Sequence, residues 1–474
     1  MDIIGRKEEI SELERLYNDG RSEFVVLYGR RRVGKTFLVN ELFRDRMVFS
    51  HTALSPVEIE GKELMKMQLQ NFCHSMIKAG ADMKATPDNW LDAFFQLEQF
   101  LESRADGRRQ LIFIDELPWL DTPRSGFVTA FEAFWNGWCA KRDDVMLVVC
   151  GSAVSWISDE LINGKGGLYD RVTAEIKLKP FSLRECEEFF RSRKIVYDRY
   201  DIIQSYMVFG GIPYYLNLFV PGKSLAQNID SLIFNRKGKL ANEYERLFSS
   251  IFKNPEDAEK TIKLLSGKRI GYTRDEIIKK TGIGNGGAFS KMLLSLLESD
   301  FVTKSRYFGE PAKNTRYRLS DNFCLFYKYF ADRKETDDPG FWQHNQSSPS
   351  INSWRGFAFE NVCFQHINNI KKALGIAGVH TETYSWSGSD SQIDMLIDRA
   401  DRLINLCECK FCSSGFTVDK EYDRKLRERQ SAFAEETKTR KPTIMTLVTT
   451  FGLKQNEYSG RFQSIITADD LFSA

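Results

Sequence analysis

Residues Gly29 to Thr36 follow the spacing G-x-x-x-x-G-K-[ST]. An apolar run at 24–28 precedes them, and apolar residues at helical spacing follow them. A strand, a glycine-rich loop and a helix in this order form the context in which the motif binds nucleotide phosphates. The glycines let backbone N–H groups surround phosphate oxygens, and the helix N-terminus adds partial positive charge. We therefore predict that this loop binds ATP.

The lysine and the hydroxyl of the motif have separate predicted tasks. Lys35 is expected to reach the β- and γ-phosphates, and Thr36 is expected to hold Mg²⁺. Residues 3–6, just upstream, either line the adenine or belong to an amphipathic surface segment. The residues predicted to contact the nucleotide in this loop are Gly29, Arg30, Arg31, Arg32, Val33, Gly34, Lys35, Thr36 and Phe37.

A second apolar run, at 111–114, ends in two acids, Asp115 and Glu116. A carboxylate at the end of a parallel strand faces the ligand crevice of the sheet. We expect Asp115 to hold Mg²⁺, directly or through water, and Glu116 to orient and deprotonate the attacking water. The alternative is a strand that ends in acids without a function, and the nearby phosphate loop argues against it.

Two further polar residues accompany predicted strands. Gly151 and Ser152 follow the apolar run 145–150. Ser152 either contacts the γ-phosphate or the attacking water, or caps the following helix. Arg171 precedes a predicted strand at 175–178. It is either an arginine that meets transition-state charge, in cis or across a subunit boundary, or a solvated surface residue.

Downstream elements predict further domains. Ser182 and Glu185 have the spacing of a capping box, which opens a helical lid that extends to about residue 253. Three short helical patterns and a β-hairpin around Gly309 follow, and this order is that of a winged helix. Residues 333–352 are rich in turn-forming and polar residues and predict a linker.

The predicted winged helix carries a local positive charge. From Gly267 to Arg318 there are eleven Lys and Arg residues against five Asp and Glu. Such an excess suits a DNA backbone, although a protein–protein module is the alternative. The predicted DNA contacts are Ser290 and Lys291 on the recognition helix and Arg306, Lys313, Arg316 and Arg318 on the wing.

Four polar residues of the last domain are able to converge. Asp394 lies near the start of a predicted strand at 391–397, Glu408 and Lys410 share one face of the next strand, and Glu360 lies on the preceding helix. Asp394 and Glu408 would hold a divalent metal such as Mg²⁺, which prefers oxygen ligands. Glu360 would add a third carboxylate or a contact behind the metal ligands. Lys410 would activate water or neutralise a scissile phosphate. The alternative is a degenerate nuclease fold that only binds.

Composition limits the class of protein. The chain has 474 residues, of which 42% are hydrophobic and 28% charged, and a net charge of +2. These values indicate a globular protein whose nucleic-acid surface, if any, is local. Nine scattered cysteines form no disulfide-like framework, and no apolar run reaches membrane-spanning length. We expect a cytoplasmic protein without membrane contact.

Several segments together resemble the archaeal-type ATPase family, a branch of P-loop proteins near the AAA+ and signal-transduction NTPases. These segments are GRRRVGKT, IDELPWL, CGSAVSWI, GGLYDR, GGIPYYL, YRLSDNFCLFYKYF, WRGFAFENVC, QIDMLI and ECK. The resemblance implies an ATPase with a tail domain similar to PD-(D/E)XK nucleases. It also implies that Gly211 and Pro213 match a nucleotide-sensing element of the lid. Asp170 replaces the Gly that usually precedes the arginine at position 171.

The predicted fold class is α/β: a P-loop NTPase core with a parallel sheet, a helical lid, a winged helix and an α/β restriction-endonuclease-like domain. The predicted boundaries are 1–180 for the core, 181–253 for the lid, 254–335 for the winged helix, 336–352 for the linker and 353–474 for the nuclease-like domain.

Three functional hypotheses follow. The first is an ATP-driven enzyme that acts on DNA with a Mg²⁺-dependent nuclease-like domain. The second is an ATP-dependent switch that binds DNA or a protein partner without cleavage. The third, a scaffold with very slow turnover, is disfavoured because a pure binder does not need the water-activating Glu116. Assembly into a nucleotide-dependent homo-oligomer is compatible with each hypothesis.

Overall fold

The computed structural model describes residues 2–56, 61–83, 85–164, 166–249, 252, 255–332 and 338–473. The chain consists of two compact units, Met1–Lys179 and Pro180–Ala474. The predicted lid boundary at 253 and 254 and the first residues of the predicted linker, 336 and 337, lie outside the described residues.

The first unit is built on a five-stranded parallel sheet with the strand order β2-β3-β4-β1-β5. This observation confirms the predicted α/β class with a parallel sheet. β1 lies beside β4, and β4 beside β3, so the residues that follow these three strands meet at one edge of the sheet. The strands are β1 Glu23–Tyr28, β2 Met47–Thr52, β3 Gln110–Asp115, β4 Val145–Gly151 and β5 Ala174–Lys177.

Helices cover this sheet. Alternate residues of the central strands, such as Phe24 and Val26 of β1, join an aromatic-rich core with residues 94–134. The rings of Phe94 and Phe134 stack within this core, with centroids 5.0 Å apart. Burial of strands on both faces explains their continuous apolar runs. The helices are α1 Lys7–Asn18, α2 Lys35–Leu42, α3 Gly61–Lys78, α4 Trp90–Ser103, α5 Phe127–Gly137 and α6 Val154–Trp156, which a π-helical stretch, Ile157–Ile162, continues.

The second unit begins with helices only. The capping box predicted at its start is present: Ser182 Oγ accepts from the Glu185 backbone N–H, and the Glu185 carboxylate accepts from the Ser182 N–H. The helices of this segment are α7 Leu183–Ser192, α8 Arg199–Phe209, α9 Pro213–Leu216, α10 Leu225–Ile229 and α11 Glu243–Ser249.

Three helices and a small antiparallel sheet of order β6-β8-β7 follow. We call residues 255–319 the hairpin module. Its helices and strands lie in the order that the sequence predicts, with one extra short strand, β6. They are α12 Pro255–Ser266, β6 Tyr272–Thr273, α13 Arg274–Thr281, α14 Gly287–Glu298, β7 Val302–Ser305 and β8 Arg316–Leu319.

The C-terminal part contains a separate mixed sheet of order β13-β12-β11-β10-β9. β10 is antiparallel to β9 and β11, whereas β11, β12 and β13 are parallel. The sequence analysis did not predict β9 or β13. The elements after the hairpin module are α15 Asn322–Phe326, α16 Phe341–Asn345, α17 Pro349–Gln365, α18 Ile367–Ala373, β9 Thr381–Ser387, β10 Gln392–Arg399, β11 Ile404–Lys410, α19 Lys420–Thr437, β12 Thr443–Thr449, β13 Ser464–Ile466 and α20 Ala468–Leu471.

The predicted linker at 336–352 is wrong from residue 341 onward. α16 occupies part of it, and Trp342 is buried, with only 2% of its surface exposed. The Asp230 carboxylate accepts hydrogen bonds from the backbone N–H groups of Trp342 and Gln343, at 2.7 and 3.0 Å. The composition of this segment resembles that of a linker, but an aspartate more than a hundred residues upstream accepts from the N–H groups at the start of its helix.

Among the described residues, no helix is long and apolar enough to cross a membrane.

Candidate functional sites

The glycine-rich loop begins where β1 ends. Gly29 has a φ of 143°, and a Cβ placed on it would lie 2.3 Å from the carbonyl oxygen of Leu178. Gly34, with a φ of 95°, occupies the N-cap position of α2. Both positions therefore need the conformational freedom of glycine, the first also for lack of space.

One polar side chain of the loop and one from further upstream donate to the backbone of the loop. The ammonium of Lys35 donates to the carbonyl oxygens of Gly29 and Arg30, at 2.9 and 3.1 Å. Arg6 Nη2 donates to the carbonyl oxygen of Val33 at 3.2 Å, so Arg6 supports the loop. Burial lowers the pKa of Lys35, and the nearby Glu116 opposes this shift. The lysine thus lies at the centre of the loop, at the start of a helix that attracts anions.

The other loop residues differ in exposure. Arg30 is buried, with 2% of its surface exposed, whereas Phe37 is 39% exposed. Arg31 is half-buried, and Arg32 adopts a left-handed backbone with φ of 73°.

The predicted metal ligands of the first unit lie together. Thr36 Oγ1 donates to Asp115 Oδ2 at 2.9 Å, although the two residues are 79 positions apart. The other oxygen, Asp115 Oδ1, accepts from the backbone N–H of Glu116 at 3.0 Å and from the thiol of Cys150 at 2.6 Å. Hydroxyl and carboxylate oxygens are the ligands that Mg²⁺ prefers, so this pair fits the ion. Sequence reasoning missed Cys150, whose role depends on the pairing of β3 with β4.

Glu116 has an unusual backbone and a specific partner. Its φ is 51°, in the left-handed region that few non-glycine residues adopt. Ser152 donates to its carboxylate with the backbone N–H at 3.1 Å and with the hydroxyl at 2.8 and 2.9 Å. Ser152 therefore does not cap α6: Ala153 occupies the N-cap position, without a side-chain hydrogen bond. The partner of Ser152 is Glu116.

The remaining nucleotide-site predictions lie apart from this cluster in the chain. Arg171 is exposed in the turn that precedes β5, and its backbone N–H donates to Leu168 O at 3.1 Å. Asp170, in place of a glycine, has a φ of 58°, and aspartate is one of the few residues that adopt this conformation readily. Gly211 and Pro213 belong to the second unit, where Pro213 begins α9. Gly211 has a φ of 68°, and a Cβ there would lie 2.3 Å from Phe181 O.

The second candidate site surrounds Glu408 on β11. Lys410 Nζ lies 2.7 Å from Glu408 Oε1. Two residues of α19 bind the same carboxylate: the Tyr422 hydroxyl donates to Oε1 at 2.5 Å, and Arg429 donates to Oε2. Sequence reasoning missed both, although their spacing of seven places them on one face of a helix. We call Glu360, Asp394, Glu408 and Lys410 the carboxylate site.

Burial and neighbouring charges shift the pKa values of the three carboxyl groups of the carboxylate site. Burial raises the pKa of Glu360 to about 8, and Asp394 adds to this shift. Burial also raises the pKa of Asp394, and Glu408 contributes in the same direction. Burial alone would raise the pKa of Glu408, but the charges of Lys410 and Arg429 outweigh it and lower the pKa. Glu360 and Asp394 therefore hold a proton more readily than free carboxyl groups do, whereas Glu408 holds one less readily.

The donor chemistry of the carboxylate site fits a divalent cation, but its side chains are already paired. Among the described residues, no three His, Cys, Asp or Glu side chains form a ready metal site. Glu408 binds Arg429, Glu360 accepts from Arg269 Nη1 at 3.2 Å, and Asp394 Oδ1 accepts from Gln392 at 3.0 Å. Two of the three carboxylates, Glu360 and Glu408, are thus paired with arginines of the chain itself.

Three of the four basic residues predicted to contact DNA on the wing have partners within the second unit. Arg306 pairs with Glu382 at 3.4 Å, and Arg316 pairs with Glu276 at 3.1 Å. Arg318 lies over the ring of Phe364, 3.8 Å from its centroid. These arginines serve contacts within the second unit. Ser290, Lys291 and Lys313 are exposed, and the Ser290 hydroxyl accepts from Arg274 at 2.8 Å.

The hairpin between β7 and β8 also touches the C-terminal sheet. Phe308 N donates to Ser385 O at 2.8 Å, and Ser385 N donates to Arg306 O at 3.0 Å, which adds a bridge to the edge strand β9. The Phe308 ring packs 5.2 Å from that of Phe433. A hairpin held in this way covers the edge strand β9 of the C-terminal sheet.

Comparison with known proteins supports the interpretation of the first unit as part of an ATPase domain. A family model described as an ATPase domain predominantly from Archaea matches residues 3–219. An uncharacterized protein of Methanocaldococcus jannaschii is 24% identical over 398 residues, which cover 83% of this chain and 84% of that protein. An uncharacterized ATP-binding protein of the same organism is 42% identical over 46 residues, which cover 10% of this chain and 78% of that protein.

Two solved structures are also similar. A Walker-type ATPase of Pyrococcus abyssi aligns with a TM-score of 0.46 and 20% identity, covering 69% of this chain and 96% of that one. The ORC2 protein of Aeropyrum pernix, in complexes with ADPNP and ADP, aligns with a TM-score of 0.45 and 14% identity, covering 73% of this chain and 96% of that one.

Proposed function

Because residues 3–219 belong to the family of ATPase domains found predominantly in Archaea, we propose that this protein couples ATP hydrolysis in its first unit to an action of its second unit on DNA. The arrangement of Glu116, held by Ser152 beside the Thr36–Asp115 pair, is the observation that carries the ATPase part. It supplies a general base and an ion-binding pair at the edge of the sheet where the phosphate loop begins.

The residues of the first unit have distinct roles in this proposal. Loop N–H groups and Lys35 hold the phosphates, and the lysine neutralises charge that develops on the β- and γ-oxygens. Glu116 orients water and takes its proton. Thr36 and Asp115 would hold Mg²⁺, which neutralises phosphate charge when bound. Arg171 is proposed to meet charge on the γ-phosphate, in cis or across a subunit boundary, and Gly211 and Pro213 to sense the nucleotide.

Release of phosphate from ATP tests the ATPase part. The wild-type protein is expected to hydrolyse ATP. Lys35→Ala is expected to lose nucleotide binding and therefore to release no phosphate. Lys141→Ala, which changes an exposed lysine of the same unit, is the matched control. Equal turnover by wild type and Lys35→Ala would contradict the proposal.

For the second unit we propose cleavage of a phosphodiester at the carboxylate site. Asp394 and Glu408 would hold Mg²⁺, with Glu360 beside them, and the ion would lower the pKa of water and polarise the phosphodiester. Lys410 would bind the scissile phosphate, since its pKa is raised despite burial because Glu408 stabilises its charge. Tyr422 and Arg429 orient Glu408.

A specific observation favours a second candidate, a nucleotide-controlled switch that binds a partner without cleavage. The hairpin arginines and the carboxylates are both engaged within the second unit, through Arg306, Arg316 and Arg318 and through Arg269 and Arg429. In this candidate, the exposed residues Ser290, Lys291 and Lys313 would contact DNA or an acidic protein.

One experiment separates the two candidates. Linear duplex DNA is incubated with Mg²⁺ or Mn²⁺, with and without ATP, and with wild type, Lys410→Ala or Lys35→Ala. Cleavage that Lys410→Ala abolishes would support the nuclease, and the Lys35→Ala lane then shows whether ATP controls it. Intact DNA in every lane, together with normal ATP hydrolysis, would favour the switch.

The cellular setting is part of the proposal. All nine cysteines are free thiols, which suits a reducing cytoplasm. We also propose that nucleotide promotes self-association, which sedimentation with and without ATP would test.

A further inference from the structure

Aromatic rings from separate elements of the second unit form a stack. The ring of Tyr200, in the first turn of α8, lies 4.6 Å from that of Phe411, with 14° between the two planes. Its centroid is 5.7 Å from that of Phe451, with 29° between the planes. The Phe411 ring also contacts Phe359 of α17, at 5.5 Å. Aromatic pairs at these separations attract one another beyond the effect of burial, so the stack fixes the orientation of its rings.

Phe451 is the open end of this stack. Phe359 is fully buried and Phe411 is half-buried, whereas Phe451 is 50% exposed. A single exposed ring is ordinary on a protein surface. This ring differs because it lines a cavity of about 300 Å³, a volume at the lower end of the range of ligand pockets. We call this the Phe451 cavity, and other residues that line it are Asp198, Arg199, Tyr200, Thr450 and Asp469.

The stack lies at the edge of the C-terminal sheet where β11 ends with Lys410. β11 and β12 are parallel, and Lys410 pairs with Thr449 at their last positions. Phe411 follows Lys410 directly, and Phe451 lies two residues beyond Thr449. Because parallel strands bring the residues that follow them to one edge, Phe451 lies on the same side of the sheet as this lysine. The exposed Lys454, three residues after Phe451, adds a second positive charge to the segment.

Two carboxylates supply hydrogen-bond acceptors in the Phe451 cavity. Asp198 is the N-cap of α8, and its Oδ1 accepts from the Asp201 N–H at 2.8 Å. Asp469 Oδ1 accepts from Arg199 Nη1 at 2.7 Å, and 80% of the Asp469 side chain is exposed. A carboxylate accepts at about four positions, so both acids retain capacity for the exocyclic amino group of a base such as cytosine.

We propose that the Phe451 cavity takes up an unpaired base of single-stranded DNA, which stacks on the Phe451 ring. This inference rests on the proposed action of the second unit on DNA and names the form of DNA that the unit binds. Every base has a π-face that an aromatic ring can contact, but in a duplex the neighbouring bases cover it. The second unit then holds DNA where bases are unpaired, such as a single-stranded end, and Lys410 and Lys454 attract its phosphates.

Fluorescence anisotropy of a labelled single strand of deoxycytidines tests the proposal with the nucleotide-free, full-length protein. Phe451→Ala is expected to bind the strand about tenfold more weakly than wild type, which is the effect of losing one base–aromatic stack. Phe451→Leu keeps an apolar side chain without a π-face and should show most of the same loss. Phe451→Trp should bind at least as tightly as wild type. A strand of thymidines, which lack the amino group, should bind wild type more weakly than the deoxycytidine strand does.

Phe95→Ala is the matched control, since Phe95 of α4 is exposed to a similar degree, 56%, and belongs to the first unit. It should bind the strand as wild type does. Equal affinity of Phe451→Leu and wild type, or binding of duplex DNA alone, would overturn the stacking proposal and leave the action on DNA intact. Calorimetry that detects free deoxycytidine in the cavity, with no binding of the strand, would also overturn it. If neither single-stranded nor duplex DNA binds, the proposed action on DNA fails, and the stacking proposal with it.

Discussion

The hydroxyl of Thr36 donates to a carboxylate oxygen of Asp115 across 2.9 Å, and so joins the start of α2 to the end of β3. The parallel sheet makes this contact because β1 and β3 both flank β4 and end at the same edge. The pair connects the phosphate loop to the residue pair Asp115–Glu116, on which the proposed hydrolysis depends.

Asp115→Asn should lower the turnover of ATP in Mg²⁺ by about 100-fold, because the loss of a charged metal ligand costs several kcal/mol in the transition state. Asp143→Asn, an exposed acid at the other end of the sheet, should leave turnover unchanged. Steady-state phosphate release over a range of Mg²⁺ concentrations measures both. Full activity of Asp115→Asn at low Mg²⁺ would show that this carboxylate does not hold the ion.

Ser152→Ala should lower turnover about tenfold without a change in ATP affinity, because the variant loses the hydroxyl donor that orients the charged carboxylate of Glu116. Ser152→Thr keeps a hydroxyl and should restore most of the turnover. Turnover and equilibrium binding of a fluorescent ATP analogue separate the two effects. A drop in affinity with unchanged turnover would place Ser152 on the nucleotide rather than on Glu116.

Gly29→Ala should lower the free energy of unfolding of the first unit by about 2 kcal/mol or more, because its Cβ would collide with a backbone oxygen and its positive φ disfavours alanine. Gly137→Ala is the control, since a Cβ there meets nothing within 4 Å. Thermal unfolding followed by circular dichroism compares them. The interpretation of Gly29 is wrong if the two variants unfold at the same temperature.

The second unit should lose stability as the pH falls from 6.5 toward 4. His366 Nε2 accepts from the Leu183 N–H at 3.1 Å, and His366 Nδ1 lies 2.9 Å from Val362 O. Burial lowers the pKa of His366 to about 4. Below pH 6.5 the unfolded chain binds a proton that the folded protein binds only near pH 4. The stabilisation is thus present above pH 6.5 and lost on acidification, by about 3 kcal/mol in all.

Urea unfolding at pH 7 and pH 4.5 measures this effect. His366→Gln, which cannot take up the proton, should show a smaller difference between the two pH values than wild type. His380→Gln, at an exposed histidine, should behave as wild type does. An equal loss in wild type and His366→Gln would mean that other groups cause the acid sensitivity.

Much of the fold could be predicted from local sequence patterns. Three features show this: the glycine-rich motif, the apolar runs of the strands, and the Ser182–Glu185 capping box. In each, the residues that interact lie near one another in the chain, so their spacing predicts the local structure. The strand β12, Thr443–Thr449, likewise coincides with a local run of mostly apolar residues. The edge strand β9 escaped prediction because its side chains are mixed in burial, and a polar edge strand has a weak pattern.

Side-chain partners that are distant in the chain could be identified only from the tertiary structure. No spacing rule connects Glu116 to Ser152, Asp230 to the start of α16, or Arg269 to Glu360, since each pair depends on how whole elements pack. The same holds for the wing arginines, whose charge suggested DNA contacts but whose partners lie within the chain.

The sequence by itself therefore determined which chemical groups the chain carries: a glycine-rich loop that ends in a lysine and a threonine, two acids at the end of a strand, and a set of carboxylates with a lysine. Only the tertiary structure decided which of these groups are engaged and by what, because hydrogen bonds and ion pairs between distant segments depend on geometry that packing sets. Residue types limit what a site can do, and packing decides the state in which it is held.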